Sequence, residues 1–451
     1  MLEYLAAHTK EEKASFHMPG HKGSALFARL GYGEITADHD ITEIPGADDL
    51  RHPEGIIKTL TDKYAALYGS TKAFISVNGS SAFIMAAIMT CVRPGHKLLA
   101  AADSHISVKN GAAIARAEIV YAAVDRLLMN GSGSVYDVLR APGVVQREPE
   151  DISGMPGVLS KAEESSLGDM AVSSGFSMPG GVSADTVAKA LDADPDIDAV
   201  ILPSPNYFGI VSDIKVIAEE VHKRGKILIV DQAHGAHLKM FANAGYAGYA
   251  EKVPTPAEEC GADIVIVSTH KTMASFTQTA VANLFGGHTG NGHGDTADDC
   301  SCGLVDVDAY EKNLLMLEST SPSYILMESL AVNADIMEKH GSELAASWRS
   351  DLDWFYENVK TIPAVRVLTR DFVRSTAGKD FRRAAGIDFD DSKIVIDFSG
   401  IMLDGKEAEE ILMEKGIFTE FHAGTVVMCL TGIGNVRKDY ELLLDVLAEM
   451  K

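Results

Sequence analysis

Lys271 closes the stretch Ser268-Thr269-His270-Lys271, which directly follows the apolar run Ile264-Val265-Ile266-Val267. A short way upstream a second apolar run, Ile227 to Val230, ends in Asp231-Gln232-Ala233-His234. A third, Ala73 to Val77, ends in Asn78-Gly79-Ser80-Ser81 and leads into a helical stretch. An amine in this position can form a Schiff base with an aldehyde. A carboxylate keeps a neighbouring pyridine nitrogen protonated. A Gly/Ser turn that opens a helix offers N–H groups and hydroxyls to a phosphate. Pyridoxal 5′-phosphate carries the aldehyde, the ring nitrogen and the phosphate, and so needs all three. His105, just past the apolar run Lys97 to Ala101, is a ring placed to hold the plane of such a cofactor.

These residues need strands that end at one common edge. From Lys72 to about Gly287 short apolar runs alternate with helical stretches. Strands are expected at Ala73–Val77, Lys97–Ala101, Ile119–Ala122, Ala199–Leu202, Ile227–Val230 and Ile264–Val267. Helices are expected at Ser81–Val92, Val108–Ala115 and Ile214–Arg224. Runs apolar on every residue indicate a mostly parallel sheet covered on both faces, the α/β class, which presents its reactive groups at the carboxyl ends of the strands. After Leu330 the texture changes to a long helix through Trp354. Shorter strands follow at 365–368, 393–396 and 425–429, with helices at 407–415 and 440–450, which reads as a smaller α+β unit. The expected organisation is an N-terminal segment at 1–70, a large domain at 71–330 and a C-terminal domain at 331–451. An insertion rich in Gly, Ser, Pro and acidic residues interrupts the large domain at about 131–181.

Composition narrows the partners. The 451 residues carry 40 Lys+Arg against 64 Asp+Glu, a formal charge of -24, which repels nucleic acid and anionic lipid and leaves neither as an expected partner. The apolar runs fall short of the ~18 residues of a spanning helix, and the N-terminus lacks the pattern of a secretory signal. The five cysteines are scattered, which suits a reducing compartment, so a cytoplasmic protein is expected.

The chain resembles the ornithine/lysine/arginine decarboxylase family, pyridoxal-phosphate enzymes with the aspartate aminotransferase fold. The stretches that carry the resemblance begin with Phe16-His17-Met18-Pro19-Gly20-His21-Lys22-Gly23, Asp40 to Gly46 with Asp48-Asp49-Leu50, and His52-Pro53-Glu54-Gly55. They continue with Val77 to Ser81, Asp231 to His237, Ser268 to Lys271 and Ser321-Pro322-Ser323-Tyr324. They extend over most of the chain. The resemblance implies that Lys271 carries the cofactor, Asp231 pairs with its ring nitrogen and Ala233 packs under the ring. It also implies that His105 stacks on the other face, and that Ser80, Ser81, Ser268 and His270 hold the phosphate. Thr320 would reach the phosphate of a neighbouring subunit. A homodimer or larger homo-oligomer with shared active sites is implied as well.

The reaction so implied is decarboxylation of arginine, lysine or ornithine to the amine and CO₂. Other chemistry on the same fold (β-elimination, racemisation or transamination) and a non-catalytic cofactor-binding role are the alternatives. His234 is a candidate proton donor or a structural histidine, and His17 and His21 are candidates to line the site. The set His288, His293, Cys300 and Cys302 fits no common zinc spacing, so no metal is expected, and Arg147-Glu148-Pro149-Glu150-Asp151 reads as solvated surface. Two positions depart from the family pattern: Gln232 stands where glutamate is common, and Ile106 where lysine is common. Gln232 leaves open which carboxylate would meet a cationic side chain. Glu43, Asp48, Asp49 and Glu420 are the candidates.

Overall fold

The computed structural model describes residues 13–22, 26–32, 37–124, 126–130, 137–139, 144–145, 175–244, 252–286, 304–376 and 388–450. Its N-terminal part supplies strand β1 (Ala14–Phe16) and helix α1 (Ile56–Tyr68). The larger unit follows as β2 (Lys72–Ser76), α2 (Gly79–Cys91), β3 (Lys97–Ala101), α3 (Ile106–Ala115), β4 (Glu118–Ala122), β5 (Ile197–Pro203), α4 (Ile214–His222), β6 (Ile227–Asp231), β7 (Ile264–Val267), α5 (Thr269–Thr272), β8 (Ala280–Leu284) and α6 (Val307–Leu317). The long helix α7 (Tyr324–Val359) leads to β9 (Arg366–Val367), β10 (Lys393–Asp397), α8 (Gly405–Glu414), β11 (Ile417–Thr419), β12 (Phe421–Ala423), β13 (Val426–Leu430) and α9 (Arg437–Glu449).

The main sheet has the order β2-β8-β7-β6-β5-β3-β4, with Val144–Val145 added beyond β4. Its inner pairs β7/β6, β6/β5, β5/β3 and β3/β4 are parallel. Strand β8 runs antiparallel to both of its neighbours, so β2 again points the same way as the rest. This is the mostly parallel α/β sheet that the apolar runs predict, with β8 as a strand that sequence reading did not identify. Alternate side chains feed two cores, as the two-residue period of a strand requires. Leu98, Ala100, Ile229, Ile264 and Ile266 pack with α2, α3 and α6, while Leu99, Leu228, Val230, Val265 and Val267 pack into the core on the opposite face. Burial on both faces is why these strands are apolar on every residue.

The carboxyl ends of β2, β3, β5, β6 and β7 therefore share one edge. There Gly79 N donates to Gln278 O at 2.8 Å, which ties the start of α2 to the turn entering β8. The smaller unit carries a sheet in the order β9-β10-β13-β12. Strand β1 pairs in parallel with β11, Ala14 opposite Ile417 and Phe16 opposite Thr419, so the N-terminal segment is bound to the C-terminal unit. Helix α7 is continuous from Tyr324 to Val359 and passes through the point where the sequence texture changes. Ser323 opens it as N-cap, and Tyr324 Oη donates to Asp48 O at 2.7 Å, which gives the Ser-Pro-Ser-Tyr motif a framework role. Most of the 131–181 stretch and the whole His288–Cys302 loop lie outside the described residues. Among the described residues no helix is long and apolar enough to cross a membrane.

Candidate active site

The shared sheet edge brings together the groups that the sequence singles out. Lys271 lies on the short helix α5 directly after β7, and its Nζ donates to His234 Nε2 at 2.8 Å. Burial pushes the Lys271 ammonium down to about 8, with Lys393 adding to the depression while Asp231 and Glu420 hold it up. His234 follows Asp231 on the turn leaving β6. Burial and then the positive charges of Lys271 and Lys393 keep its imidazole well below its ordinary value, so the ring is neutral. Asp231, itself buried, accepts from Ala233 N at 3.1 Å, which fixes the tight turn that carries Ala233 and His234. His105 is the N-cap of α3. Its Nδ1 accepts from Ser107 N at 3.2 Å, and the fields of Asp231 and Lys271 both act on its ring.

A hydroxyl pair joins the remaining strand ends. Ser268 Oγ, fully buried, donates to Ser80 Oγ at 2.9 Å, which links the end of β7 to the first turn of α2. Ser81 lies beside Ser80 in that turn, whose leading N–H groups have no partner within the helix. His270 Nδ1 donates to Thr279 O at 2.9 Å, and burial holds its ring at about 4. Thr320 lies exposed between α6 and α7, with no hydrogen bond to this cluster among the described residues. It is the one expected site residue that the single chain leaves apart.

The acidic candidates separate clearly. Asp48 is engaged as a cap of α1: its Oδ2 accepts from Gly55 N at 2.8 Å and Ile57 N at 2.9 Å. Burial would raise its carboxyl, but the surrounding backbone donors bring it down to about 2. Asp49 accepts from Arg51 N, and Glu43 is exposed. Glu420, between β11 and β12, instead takes Tyr207 Oη at 3.0 Å on one carboxylate oxygen and Met18 N at 2.9 Å on the other. Tyr207 in turn meets the His234 ring edge-on, with centroids 5.0 Å apart, and packs on Phe421 at 4.9 Å. Sequence reading missed Tyr207. Its signal is the polar stretch Ser204-Pro205-Asn206-Tyr207 directly after β5, at the same edge as the other site residues.

Gln232 faces away from this cluster. Its Nε2 donates to Glu258 at 2.8 and 2.9 Å, and its Oε1 accepts from Ala257 N at 2.8 Å. The amide thus pairs with a buried carboxyl that burial pushes up to about 7, where a second carboxylate would meet like charge. Ile106, the other departure, is 56 % exposed at the start of α3. His21 packs against Phe27 and Phe276, and burial holds it at about 4. His17 O accepts from Lys22 Nζ, which also donates to Leu430 O at 2.7 Å and ties the N-terminal motif to β13.

The residues fit pyridoxal phosphate. A buried amine near neutrality, a buried carboxylate and a hydroxyl-lined helix start lie at one edge, and His234 Nδ1 is buried with no hydrogen-bond partner among the described residues. That unused valence suits a polar group brought by a ligand.

The family model described as Orn/Lys/Arg decarboxylase, major domain, matches residues 1–151 and 170–382. The chain is 26% identical over 450 residues to an arginine decarboxylase of Halalkalibacterium halodurans, covering 99% of this chain and 76% of that protein. Among solved structures, the constitutive lysine decarboxylase of E. coli superposes with a TM-score of 0.60 at 16% identity, over 99% of this chain and 60% of that one. The chain therefore spans about three-fifths of that decarboxylase's length. A pyridoxamine-pyruvate aminotransferase of Mesorhizobium loti has the same fold, with a TM-score of 0.58 at 14% identity over 97% of this chain and 92% of that one.

Proposed function

The chain belongs to the ornithine/lysine/arginine decarboxylase family of pyridoxal-phosphate enzymes, and from that premise we propose that it decarboxylates a cationic amino acid at Cα. The observation that carries this reading is the Lys271 Nζ–His234 Nε2 contact of 2.8 Å, at the edge shared with Asp231 and the Ser80–Ser268 pair. Bound pyridoxal phosphate supplies the electron sink for the pair left on Cα when the carboxylate departs as CO₂. Lys271 is the residue that would carry it, Asp231 would keep a proton on its ring nitrogen, and His105 and Ala233 would bracket its plane. Ser80, Ser81, Ser268 and His270 would hold the phosphate.

With a pKa of about 8, Lys271 exchanges its proton near neutrality, as an amine that must attack and later protonate requires. His234 stays neutral, so it orients Nζ by accepting a hydrogen bond rather than by storing the proton. The substrate's second cation needs a negative partner, because an unpaired buried charge costs several kcal/mol. Glu420 supports that role, since it acts on Lys271 and is held from both sides by Tyr207 and Met18.

The test is a panel of amino acids assayed for amine, keto acid and ammonia. Arginine, lysine or ornithine should give amine and CO₂, with kcat/KM at least ~10²-fold above norleucine or citrulline. Equal turnover of the neutral compounds would overturn the cationic substrate, and keto acid or ammonia as the main product would overturn decarboxylation. We further propose a homodimer, supported by exposed Thr320 and by exposed Ile106 beside His105. Sedimentation at assay concentration should find no active monomer; a fully active monomer would refute it.

A further inference from the structure

A buried ionic cluster joins the smaller unit to the active-site turn. Lys393 opens β10 and is fully buried, and Asp390, three residues earlier, is 2% exposed. Lys393 Nζ donates to Asp390 Oδ2 at 2.6 Å and to His234 O at 2.9 Å. Asp390 Oδ1 lies 3.2 Å from His237 Nε2, and His237 Nδ1 lies 3.2 Å from Thr272 Oγ1. Ser392 completes the cluster: its N–H donates to Asp390 Oδ1 and its Oγ lies 3.2 Å from His237 Nε2. One arm of the cluster therefore ends on the backbone of His234 and the other on the residue after Lys271. The cluster thus brackets the pair His234 and Lys271, whose side chains meet at 2.8 Å.

We propose that Lys393 is a positioning residue, which with Asp390 and His237 holds the Asp231–His237 turn against α5 and so fixes the His234–Lys271 pair. A buried ion pair is seldom the most stable filling for such a space, since apolar residues of similar volume often do as well or better. What the ion pair supplies here is direction. The ammonium must lie between one carboxylate and one carbonyl, which sets the height of the His234 backbone. The close approach of Gly209, where an added Cβ would fall 2.8 Å from Asp390 O and 3.1 Å from Lys393 Cδ, leaves the pair no room to shift. The ammonium also acts directly on the site, because its charge is among those that disfavour the charged forms of Lys271 and His234. The other charged and titratable groups acting on these two are Asp231 and Glu420 from the larger and smaller units, and His105 and His270 from the sheet edge.

The proposal rests on Lys271 being the reactive amine, and one experiment separates the two. The apoenzyme of the parent and of Lys393→Met is treated with an amine reagent across pH 6–10, and the Lys271 peptide is quantified by mass spectrometry. Loss of the Lys393 charge should move the half-maximal labelling of Lys271 to higher pH. In the reloaded enzyme kcat should fall at least tenfold while KM changes less than threefold. Asp390→Asn removes the one carboxylate that pairs with Lys393 among the described residues and leaves its ammonium uncompensated, so it should move Lys271 labelling to lower pH, and it serves if Lys393→Met does not fold. Variants that lower only the melting temperature, with Lys271 titrating as in the parent, would overturn the positioning role. Failure of borohydride to trap cofactor on Lys271 in the parent would instead overturn the assignment of the amine.

Discussion

Lys271→Ala will retain no covalently attached pyridoxal phosphate after borohydride reduction and will turn over at least about 10³-fold more slowly than the parent. The size of the effect follows from the two tasks that one amine performs, carrying the cofactor and exchanging a proton near pH 8. Among the described residues no neighbouring group can replace it. His234 is neutral and held well below its ordinary value, and Lys393 is occupied by Asp390 and the His234 carbonyl. The pH dependence has a definite sign. Below about 8 the free ammonium predominates and cannot attack, so the rate at which the apoenzyme takes up pyridoxal phosphate should rise as the pH climbs toward that value. Reduction that still fixes the cofactor on another lysine of Lys271→Ala would show that the reactive amine lies elsewhere.

Lys271, Asp231 and the Ser80-Ser81 turn were legible for a local reason. Each follows a strand buried on both faces, and a polar residue after a wholly apolar run has nowhere to go but the sheet edge. Tyr207 obeys the same rule after β5 and could have been found by it. Lys393 and Asp390 could not, and Glu420 stands only as one of four acidic candidates that the sequence does not rank. They reach the site from the smaller unit, and their local sequence shows only an ordinary charged residue beside a strand. Gln232 misled for the opposite reason. It adjoins Asp231, but alternate residues at the end of a strand point opposite ways, and its amide serves the buried Glu258 carboxyl behind the sheet edge. The antiparallel β8 and the β1–β11 pairing escaped because register between distant segments leaves no trace in either segment alone.

The N-terminal motif His17-Met18-Pro19-Gly20-His21-Lys22 shows best what distance hides, and Gly20→Ala is expected to be among the most disruptive small substitutions in the chain. Gly20 sits where three segments meet on their backbones. Its N–H donates to His270 O at 2.8 Å, and its carbonyl accepts from Gly434 N at 3.0 Å. Beside it Ile433 N donates to Thr272 O at 2.9 Å. A Cβ on Gly20 would fall 2.3 Å from Thr272 C and 2.5 Å from Met273 O, contacts with backbone that no rotamer change can relieve. Gly432 and Gly434 complete the junction, since a Cβ on either would strike the backbone of Gly20 or His21 at 2.6 and 2.3 Å. An added methyl must therefore push α5, and Lys271 with it, away from the smaller unit. Overpacking of this kind costs about 3 kcal/mol or more when backbone is what must move. Gly225→Ala provides the comparison: it has a positive φ of 63° but nothing within 4 Å of its Cβ, so it carries only the conformational penalty of about 1 kcal/mol. Denaturant unfolding of the two variants should separate them by at least 2 kcal/mol, and Gly20→Ala alone should lose affinity for pyridoxal phosphate. Equal stability losses would mean that the motif does not clamp the lysine helix, and that its glycine is there for the turn alone.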